Sequence, residues 1–309
     1  MKSLKKYTSP LILVAASVIW GLAFVAQDSA SDVPPFTLGA ARSILAAIFL
    51  MSLIPIIDKT QNTGRRLFSK RKLFDFTKPE LIGGAISGVA LAFASVLQQM
   101  GINSGTAAGK AAFITTLYVV IVPIYGLFLK NSASARVWIS VAIALVGFYL
   151  LCIEGDFTIA PSDFLVLLCA FVFPIQILAI DRFSPRSDGV RMSCVQFFFA
   201  TLVNLIFVFI LEAPVDFQLL SENVLPILYL GIGSSGVAYT LQIIGQRGTN
   251  PAAASVILSL EAVFGVLGAA IILSQNLSLR EYAGSAIVFV AVLLIQIDFK
   301  ALFKRRKTQ

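Results

Sequence analysis

The chain has 309 residues, of which 58% are hydrophobic and only 13% are charged, and its mean hydropathy is +0.88. Soluble domains carry roughly 25% charged residues, so this composition excludes a water-soluble globular protein. The sequence contains 24 Lys and Arg, 16 Asp and Glu and no histidine, so it lacks the commonest metal ligand and the commonest general base.

Ten apolar segments follow one another along the chain, each close to the roughly 20 residues that an α-helix needs to cross a bilayer. The hydropathy pattern predicts them at residues 10–27, 36–57, 80–101, 106–129, 134–152, 162–181, 190–211, 223–246, 251–274 and 281–299. Prolines stand at or near several starts, including Pro79, Pro161 and Pro251, where a missing N–H costs no helical hydrogen bond. The sequence therefore predicts an all-α membrane protein with ten transmembrane helices.

The distribution of basic residues predicts the orientation. If the N-terminus is cytoplasmic, 21 of the 24 Lys and Arg lie in or beside cytoplasmic segments, and the loop 58–78 is the most basic of them. Arg280 is predicted to lie outside, whereas Arg42 and Lys110 lie within membrane helices. Both termini are therefore predicted in the cytoplasm. The net charge of +8 belongs mainly to these membrane flanks, which argues against a nucleic-acid partner.

The chain divides into two similar five-helix halves, which are predicted at residues 1–157 and 158–309. Residues 80–152 overlie residues 225–297 without a gap. Because five is an odd number, the second half must enter the membrane with the opposite polarity. The result is an inverted-topology repeat, an arrangement in which secondary transporters place the substrate site at the repeat interface near the membrane midplane.

Several short motifs resemble a known family. They are Trp20-Gly21, Arg42 in the second helix, Gly101-x4-Thr106-Ala107-Ala108, Pro123, the stretch Trp138–Gly147, Gly248-x2-Pro251-Ala252-Ala253 and Ser259-Leu260-Glu261-Ala262-Val263-Phe264. Together with the five-plus-five arrangement they resemble the EamA-type branch of the drug/metabolite transporter superfamily. Ala262 stands where that family usually has proline, and Lys130 and Gln275 stand where it often has an acidic residue. The resemblance implies a ten-helix secondary transporter of the plasma membrane, of the bacterial inner-membrane type.

Three charged side chains are predicted to lie within the membrane: Arg42, Lys110 and Glu261. Each costs roughly 2.5–3.5 kcal/mol at a helix centre unless it is paired or hydrated. Glu261 is either a proton acceptor or ligand for a substrate amine, or a structural partner of Lys110 or Arg42. Lys110 either anchors a carboxylate or phosphate of the substrate or extends outward to the membrane surface. Arg42 either joins that anchor or pairs with Asp28 or Asp32 at the outer rim.

Uncharged polar and aromatic side chains form a second group of candidates for the substrate site. The amides of Gln98 and Gln242 can hydrogen-bond a solute, and Trp20, Tyr118 and Tyr239 can wall a cavity. The alternative is packing and interhelical hydrogen bonding, which is worth about 0.6 kcal/mol per bond. Together with the three charged residues they form the predicted substrate-binding set, and no catalytic or metal-binding residue is predicted.

Other classes of function lack their sequence signals. There is no His-Glu-x-x-His, no Gly-x-Ser-x-Gly and no pair of aspartates on neighbouring helices, so an intramembrane enzyme is not expected. No phosphate-binding Gly-x4-Gly-Lys-Ser/Thr loop supports an ATP-driven pump, and no charged ring or repeated filter supports a channel. Cys152, Cys169 and Cys194 give neither a disulfide framework nor a metal spacing, so no cofactor is predicted.

The sequence thus predicts a secondary transporter that works by alternating access and exports or exchanges a small polar metabolite, with an amino acid or related compound as the first choice. A zwitterion fits because Lys110, with Arg42, can hold a carboxylate while Glu261 holds an amine. The alternatives are a proton-coupled exporter of amphipathic cations or drugs, an organic-anion transporter that uses Lys110, and a receptor or scaffold without transport. The partners predicted are a small-molecule substrate and the lipid bilayer, while proton coupling and a homodimer stay open.

Overall fold

The computed structural model describes residues 2–61, 75–129, 133–153, 159–272 and 277–296. Every regular element within these ranges is helical. In chain order the α-helices are α1 (Lys2–Ser29), α2 (Pro35–Gln61), α3 (Lys78–Asn103), α4 (Ala108–Thr116), α5 (Tyr118–Phe128), α6 (Ala135–Cys152), α7 (Pro161–Phe183), α8 (Gly189–Phe207), α9 (Phe217–Glu222), α10 (Val224–Leu228), α11 (Tyr239–Gln246), α12 (Pro251–Leu258), α13 (Leu260–Ile272) and α14 (Leu279–Gln296). The predicted all-α membrane fold is therefore confirmed.

Each predicted membrane segment overlaps a helical stretch of the described chain. Eight stretches are long and apolar enough to cross a bilayer, a further apolar helix, Ala135–Leu151, is shorter, and α14 coincides with the last predicted segment. The count of ten spans stays a prediction. The short helix α9 was not predicted, and the eighth segment is less regular than expected, because a π-helical stretch, Tyr229–Ala238, joins α10 to α11.

Each contact between the two halves has an equivalent contact in which the halves have swapped roles. Helix α3 of the first half packs on α7 and α8 of the second. Equivalently, α11 and the π-helical stretch of the second half pack on α1 and α2 of the first. Likewise α1 packs on α12 and α13, whereas α7 packs on α4 and α5. The remaining major contacts, α2 with α8 and α6 with α14, join equivalent helices. This reciprocity is the packing that two repeats related by a two-fold axis produce.

Glycines allow the closest of these contacts. A Cβ on Gly21 of α1 would lie 2.6 Å from the backbone nitrogen of Gly265 of α13. A Cβ on Gly147 of α6 would lie 2.9 Å from the carbonyl oxygen of Gly284 of α14. Small residues drive helix association in membranes because they let backbones approach closely. The Gly21 contact holds α1 against the helix that carries Glu261.

Two membrane segments are interrupted at comparable places. The fourth segment breaks at Leu117, between α4 and α5, and the ninth breaks at Ser259, between α12 and α13. Beside each break a hydroxyl donates to the backbone oxygen three residues earlier at 2.7 Å, from Thr116 in the first half and from Ser259 in the second. Such bonds compete with the helical ladder and bend helices. Transporters use interrupted helices to expose polar groups at the binding site.

Candidate functional site

A pocket lies beside both helix interruptions, with about 530 Å³ of space between its atoms, part of it open to the outside. Residues from both halves line it, and among the described residues none of α6, α8 or α14 does. Its polar lining consists of Gln27, Arg42, Ser95, Gln98, Thr115, Gln176, Ser234, Gln242 and Glu261. Its aromatic lining consists of Trp20, Phe24, Tyr118, Phe173 and Tyr239. A cavity with a few converging polar groups in an apolar wall is typical of a small-molecule site.

Seven of the eight residues predicted to bind substrate line this pocket. They are Trp20, Arg42, Gln98, Tyr118, Tyr239, Gln242 and Glu261, and the eighth, Lys110, lies elsewhere. The structure therefore brings together two of the three predicted intramembrane charges. That these side chains bind a solute stays a prediction.

Arg42 enters the pocket from α2 and is held by the second half of the chain. Its Nε donates to Ser235 Oγ at 3.0 Å, and its Nη2 donates to Ser234 Oγ at 3.2 Å. The side chain is buried, with 8% of its surface exposed. The expected pairing with Asp28 or Asp32 at the rim is wrong, because the guanidinium points inward to the π-helical stretch that carries both serines. Asp32 instead accepts from Asn223 Nδ2 at 3.2 Å.

Glu261 enters the pocket from α13 and is held by the first half. Its Oε1 accepts a hydrogen bond from the hydroxyl of Tyr118 at 3.2 Å, and only 7% of the residue is exposed. Among the residues that the structure describes, no Lys or Arg nitrogen comes within 4.0 Å of this carboxylate. The predicted structural alternative, a pair with Lys110 or Arg42, is therefore wrong. A carboxylate in such a place is stabilised by a proton or by a cationic ligand.

Aromatic rings form much of the remaining wall. The rings of Trp20 and Tyr239 lie 4.6 Å apart, and Tyr239 also contacts Phe197 edge-on at 5.6 Å. The indole Nε1 of Trp20 donates to the backbone oxygen of Ser234 at 3.3 Å. One residue of the π-helical stretch thus helps to position both Trp20 and Arg42. π-Helical turns are rare and are often found at functional sites.

The amides in the pocket are bonded to each other in the structure. Gln98 Nε2 donates to Thr115 Oγ1 at 2.8 Å, and Gln98 Oε1 accepts from Gln27 at 3.0 Å. On the other side, Gln176 and Gln242 donate to one another at 2.9 and 3.2 Å. The predicted alternative of interhelical hydrogen bonding is therefore realised for both predicted glutamines, which lie at the pocket surface at the same time.

Lys110 occupies a separate cluster at the start of α7. Its Nζ lies 2.5 Å from Asp163 Oδ2, which also accepts from the backbone nitrogen of Ala160 at 2.7 Å. Asp163 Oδ1 accepts from Thr106 Oγ1 at 3.0 Å. The expectation that Lys110 shares a site with Glu261 is wrong, because Lys110 pairs with Asp163, which caps the start of α7 next to α4. Lys110 therefore joins the two halves.

Several lining residues were missed from the sequence. Gln27 resembles any polar residue near a helix end, and Ser234 lies in a glycine-rich run that is typical of a close helix contact. Phe24 and Phe173 carry no signal that distinguishes them from the other phenylalanines. Within the described ranges, no three or more His, Cys, Asp or Glu side chains are grouped so that they could hold a metal ion.

This chain is similar in sequence to transporters and in fold to a protein of known structure. A relative from Archaeoglobus fulgidus, named as an uncharacterized transporter, is 28% identical over 304 residues, which cover 96% of this chain and 88% of the relative. A second uncharacterized transporter, from Methanothermobacter thermautotrophicus, is 23% identical and covers 92% of this chain and 84% of its own length. A protein of known crystal structure with 18% identity superposes with a TM-score of 0.71 over 98% of this chain and 99% of its own, which supports the fold.

The family relationship covers both halves. The sequence model of the EamA-like transporter family matches residues 8–153 and again residues 160–297. The two matches lie one in each predicted half, although the boundary at residue 157 stays a prediction. The resemblance to the drug/metabolite transporter superfamily that the motifs indicated is confirmed. This chain belongs to the EamA-like transporter family.

Proposed function

We propose that the chain is a secondary transporter that works by alternating access and exports or exchanges a small polar metabolite, with an amino acid or related zwitterion as the first choice. The observation that carries the proposal is the presence of Arg42 and Glu261 in one buried pocket, without an ionic partner for either among the described residues. Membership of a transporter family favours transport over catalysis.

The two charged groups divide the substrate between them. A guanidinium has five N–H donors, and the two serine hydroxyls occupy only two of those of Arg42. The others are available to a carboxylate, which a guanidinium recognises in a two-pronged geometry. Glu261 accepts one hydrogen bond from Tyr118 and retains acceptor capacity for an ammonium group. Arg42 thus takes the role that was predicted first for Lys110.

Binding to the purified protein and flux in liposomes test this proposal together. Thermal-shift measurements with zwitterions, organic cations and organic anions should show stabilisation by a zwitterion, and counterflow should then show its transport. Arg42→Gln and Glu261→Gln should each strongly weaken both signals, whereas the matched variants Arg186→Gln and Glu222→Gln, at exposed positions outside the pocket, should not. Absence of flux with a bound ligand would favour a receptor.

An amphipathic cation is the second candidate, because five aromatic side chains line the pocket and rings attract cations. In that case Glu261 exchanges the cation for a proton and Arg42 is not a ligand. Arg42→Gln then retains transport, while Glu261→Gln loses it. The two substrate classes are therefore distinguished by a single pair of variants.

The orientation belongs to the same proposal: a plasma-membrane protein with both termini in the cytoplasm. Asp32, in the turn after α1, and Arg186, in the short 3-10 helix after α7, are exposed at opposite ends of the bundle. In a background without the native cysteines, a membrane-impermeant maleimide added to intact cells should label Asp32→Cys and leave Arg186→Cys unlabelled. The reverse pattern would overturn the orientation.

A further inference from the structure

Side-chain amides form a hydrogen-bonded ladder from the pocket to one end of the bundle. Gln27 Nε2 donates to Gln98 Oε1 at 3.0 Å and to Gln99 Oε1 at 3.2 Å. Gln99 Nε2 donates to the backbone oxygen of Gln27 at 3.2 Å and to Asn103 Oδ1 at 2.8 Å. Asn103 Nδ2 donates to the backbone oxygen of Val33 at 3.1 Å. This Val33 ladder ties α1 and its following loop to α3.

A second ladder runs from the pocket in the second half. Gln176 and Gln242 donate to one another at 2.9 and 3.2 Å. One turn further along α11, Gln246 Nε2 donates to a backbone oxygen of α7 at 3.1 Å. Arg247 Nη2 then donates to the backbone oxygen of Ser187 at 2.6 Å. This Ser187 ladder ties α7 and its following loop to α11.

The two ladders end at opposite ends of the bundle. Helices α3 and α7 lie against each other in antiparallel fashion: a Cβ on Gly101 would lie 3.1 Å from the backbone oxygen of Ser162, and a Cβ on Gly83 would lie 2.5 Å from Cβ of Phe183. The Val33 ladder follows α3 past Gly101, to the end where α7 begins. The Ser187 ladder ends just after α7 ends.

We propose that the Val33 ladder and the Ser187 ladder are the two gates of the pocket, and that opening one while the other stays bonded exposes the pocket to one side of the membrane at a time. This inference rests on the proposed transport function and names the residues that would close each side. Each ladder begins with a pocket residue, Gln98 or Gln242, and joins the first and third membrane segments of one predicted half. The predicted orientation places the Val33 gate outside and the Ser187 gate in the cytoplasm.

Amides suit a gate because they are bonded when it is closed and hydrated when it is open. The net gain of an intramolecular hydrogen bond is small, because water replaces the lost partner. An apolar gate, by contrast, would expose hydrophobic surface on opening. The described residues give each ladder four hydrogen bonds between its two helices or their adjoining loops. Because both gates have the same number of hydrogen bonds, these bonds favour neither the state open to one side of the membrane nor the state open to the other.

The alternative is that both ladders are static interhelical bonds. Removing a static bond lowers stability but gives no side-dependent change in access to the pocket. Removing a gate bond instead raises access from the side of that gate and lowers it from the other. The sidedness of accessibility is therefore the measurement that separates them.

The experiment places one reporter thiol in the pocket, as Ser95→Cys, in a chain whose Cys152, Cys169 and Cys194 are replaced by Ala. Gln99→Met and Gln246→Met each remove one rung that does not line the pocket. Gln218→Met, at an exposed position outside both ladders, is the matched control. Labelling by a membrane-impermeant maleimide is measured in right-side-out and in inverted vesicles.

One interhelical hydrogen bond in a membrane changes an equilibrium by about threefold. Gln99→Met removes two bonds between α1 and α3 and should raise labelling from the Val33 side about tenfold. Gln246→Met removes one bond and should raise labelling from the Ser187 side about threefold. In each case labelling from the opposite side should fall, and Gln218→Met should leave both rates unchanged.

Labelling that rises equally from both sides, or that does not change in a folded variant, overturns the gate assignment. If Gln99→Met or Gln246→Met does not fold, the end rungs are removed instead, by Asn103→Leu and Arg247→Met, with the same expectations. Solute flux is measured for the same gate substitutions in a chain that keeps Ser95. A sided labelling shift without flux of any solute supports the gates and refutes transport, whereas flux with unsided labelling refutes the gates alone.

Discussion

Arg42 and Glu261 line the same pocket but are held differently. The guanidinium of Arg42 donates to two serine hydroxyls, at 3.0 and 3.2 Å. The carboxylate of Glu261 has a single bond, from Tyr118 at 3.2 Å. Two directed bonds fix a planar group, whereas one bond allows a carboxylate to rotate. We therefore propose Arg42 as a fixed anchor and Glu261 as the group that would exchange partners during transport.

The hydrogen-bond partners of Arg42 and Glu261 are uncharged hydroxyls, whereas the partner of Lys110 is a carboxylate. A charged group at the centre of a bilayer costs roughly 2.5–3.5 kcal/mol, and hydroxyls compensate only part of that. Lys110 is instead neutralised by Asp163. We infer that the pocket keeps two uncompensated charges because a ligand compensates them, whereas Lys110 has a structural role.

The largest effect on transport is expected from substitution of Glu261. Glu261→Gln keeps an oxygen that can accept from Tyr118 but cannot bind a proton or form an ion pair. Because hydrogen bonds to charged groups are worth about 1.5–3 kcal/mol, we expect flux in liposomes to fall about 100-fold, with unchanged expression and monodispersity. Normal flux with unchanged pH dependence would show that the carboxylate is structural.

A smaller loss is expected at the anchor. Arg42→Lys keeps the charge but loses the planar fork, so it should weaken substrate binding about tenfold, and Arg42→Gln should weaken it further. Titration calorimetry with the solute identified by thermal shift measures both. Equal affinities of Arg42→Lys and the wild type would mean that charge alone matters and that the bonds from Arg42 to Ser234 and Ser235 have no role in recognition.

The bond that holds Glu261 should matter less than the group itself. Tyr118→Phe removes the hydroxyl and leaves the ring, so the carboxylate loses its orientation but not its charge. Loss of one hydrogen bond of about 1 kcal/mol predicts a fall of about fivefold in flux. Tyr125→Phe, a tyrosine outside the pocket lining, is the matched control and should be neutral. A loss as large as that of Glu261→Gln would mean that Tyr118 itself contacts the solute.

The smallest effect on transport is expected at Lys110. The side chains of Lys110 and Asp163 are 21% and 3% exposed, and without the lysine Asp163 keeps its hydrogen bonds from Ala160 and Thr106, so the pair should contribute about 1 kcal/mol. Lys110→Met should therefore lower the melting temperature slightly and leave substrate affinity unchanged, and Lys110→Met with Asp163→Asn should recover part of the stability. Weak substrate binding by a well-folded Lys110→Met protein would return Lys110 to the binding site.

The fold was predictable from the sequence because hydropathy and charge are properties of single segments. The interruptions at Leu117 and Ser259 were not, since Thr116 and Ser259 resemble any hydroxyl residue in an apolar run. The pocket was largely predictable because polar side chains within a membrane are few. The partners were not: Lys110 and Asp163 are 53 residues apart in sequence, and nothing local pairs them.

The contact of Ser234 and Ser235 with Arg42 could not be predicted from the sequence. In the sequence they stand between Gly233 and Gly236, which predicts close packing, and Gly236 does lie against Phe49. Both serines lie in the π-helical stretch Tyr229–Ala238 and accept from Arg42 there. That stretch packs on α1 and α2 of the other half, and no local signal in the sequence predicts this contact.

Each half of the chain holds the charged group of the other, since Arg42 lies on the first half and its serines on the second, while Glu261 lies on the second half and Tyr118 on the first. A gene cut near codon 157 would therefore yield two fragments that each carry an unsolvated charge. Neither fragment is expected to be inserted stably when it is produced alone, and both should be rescued when they are produced together. The crossed bonds would thus act as a checkpoint on assembly, because only the complete pair escapes the degradation of unpaired membrane helices.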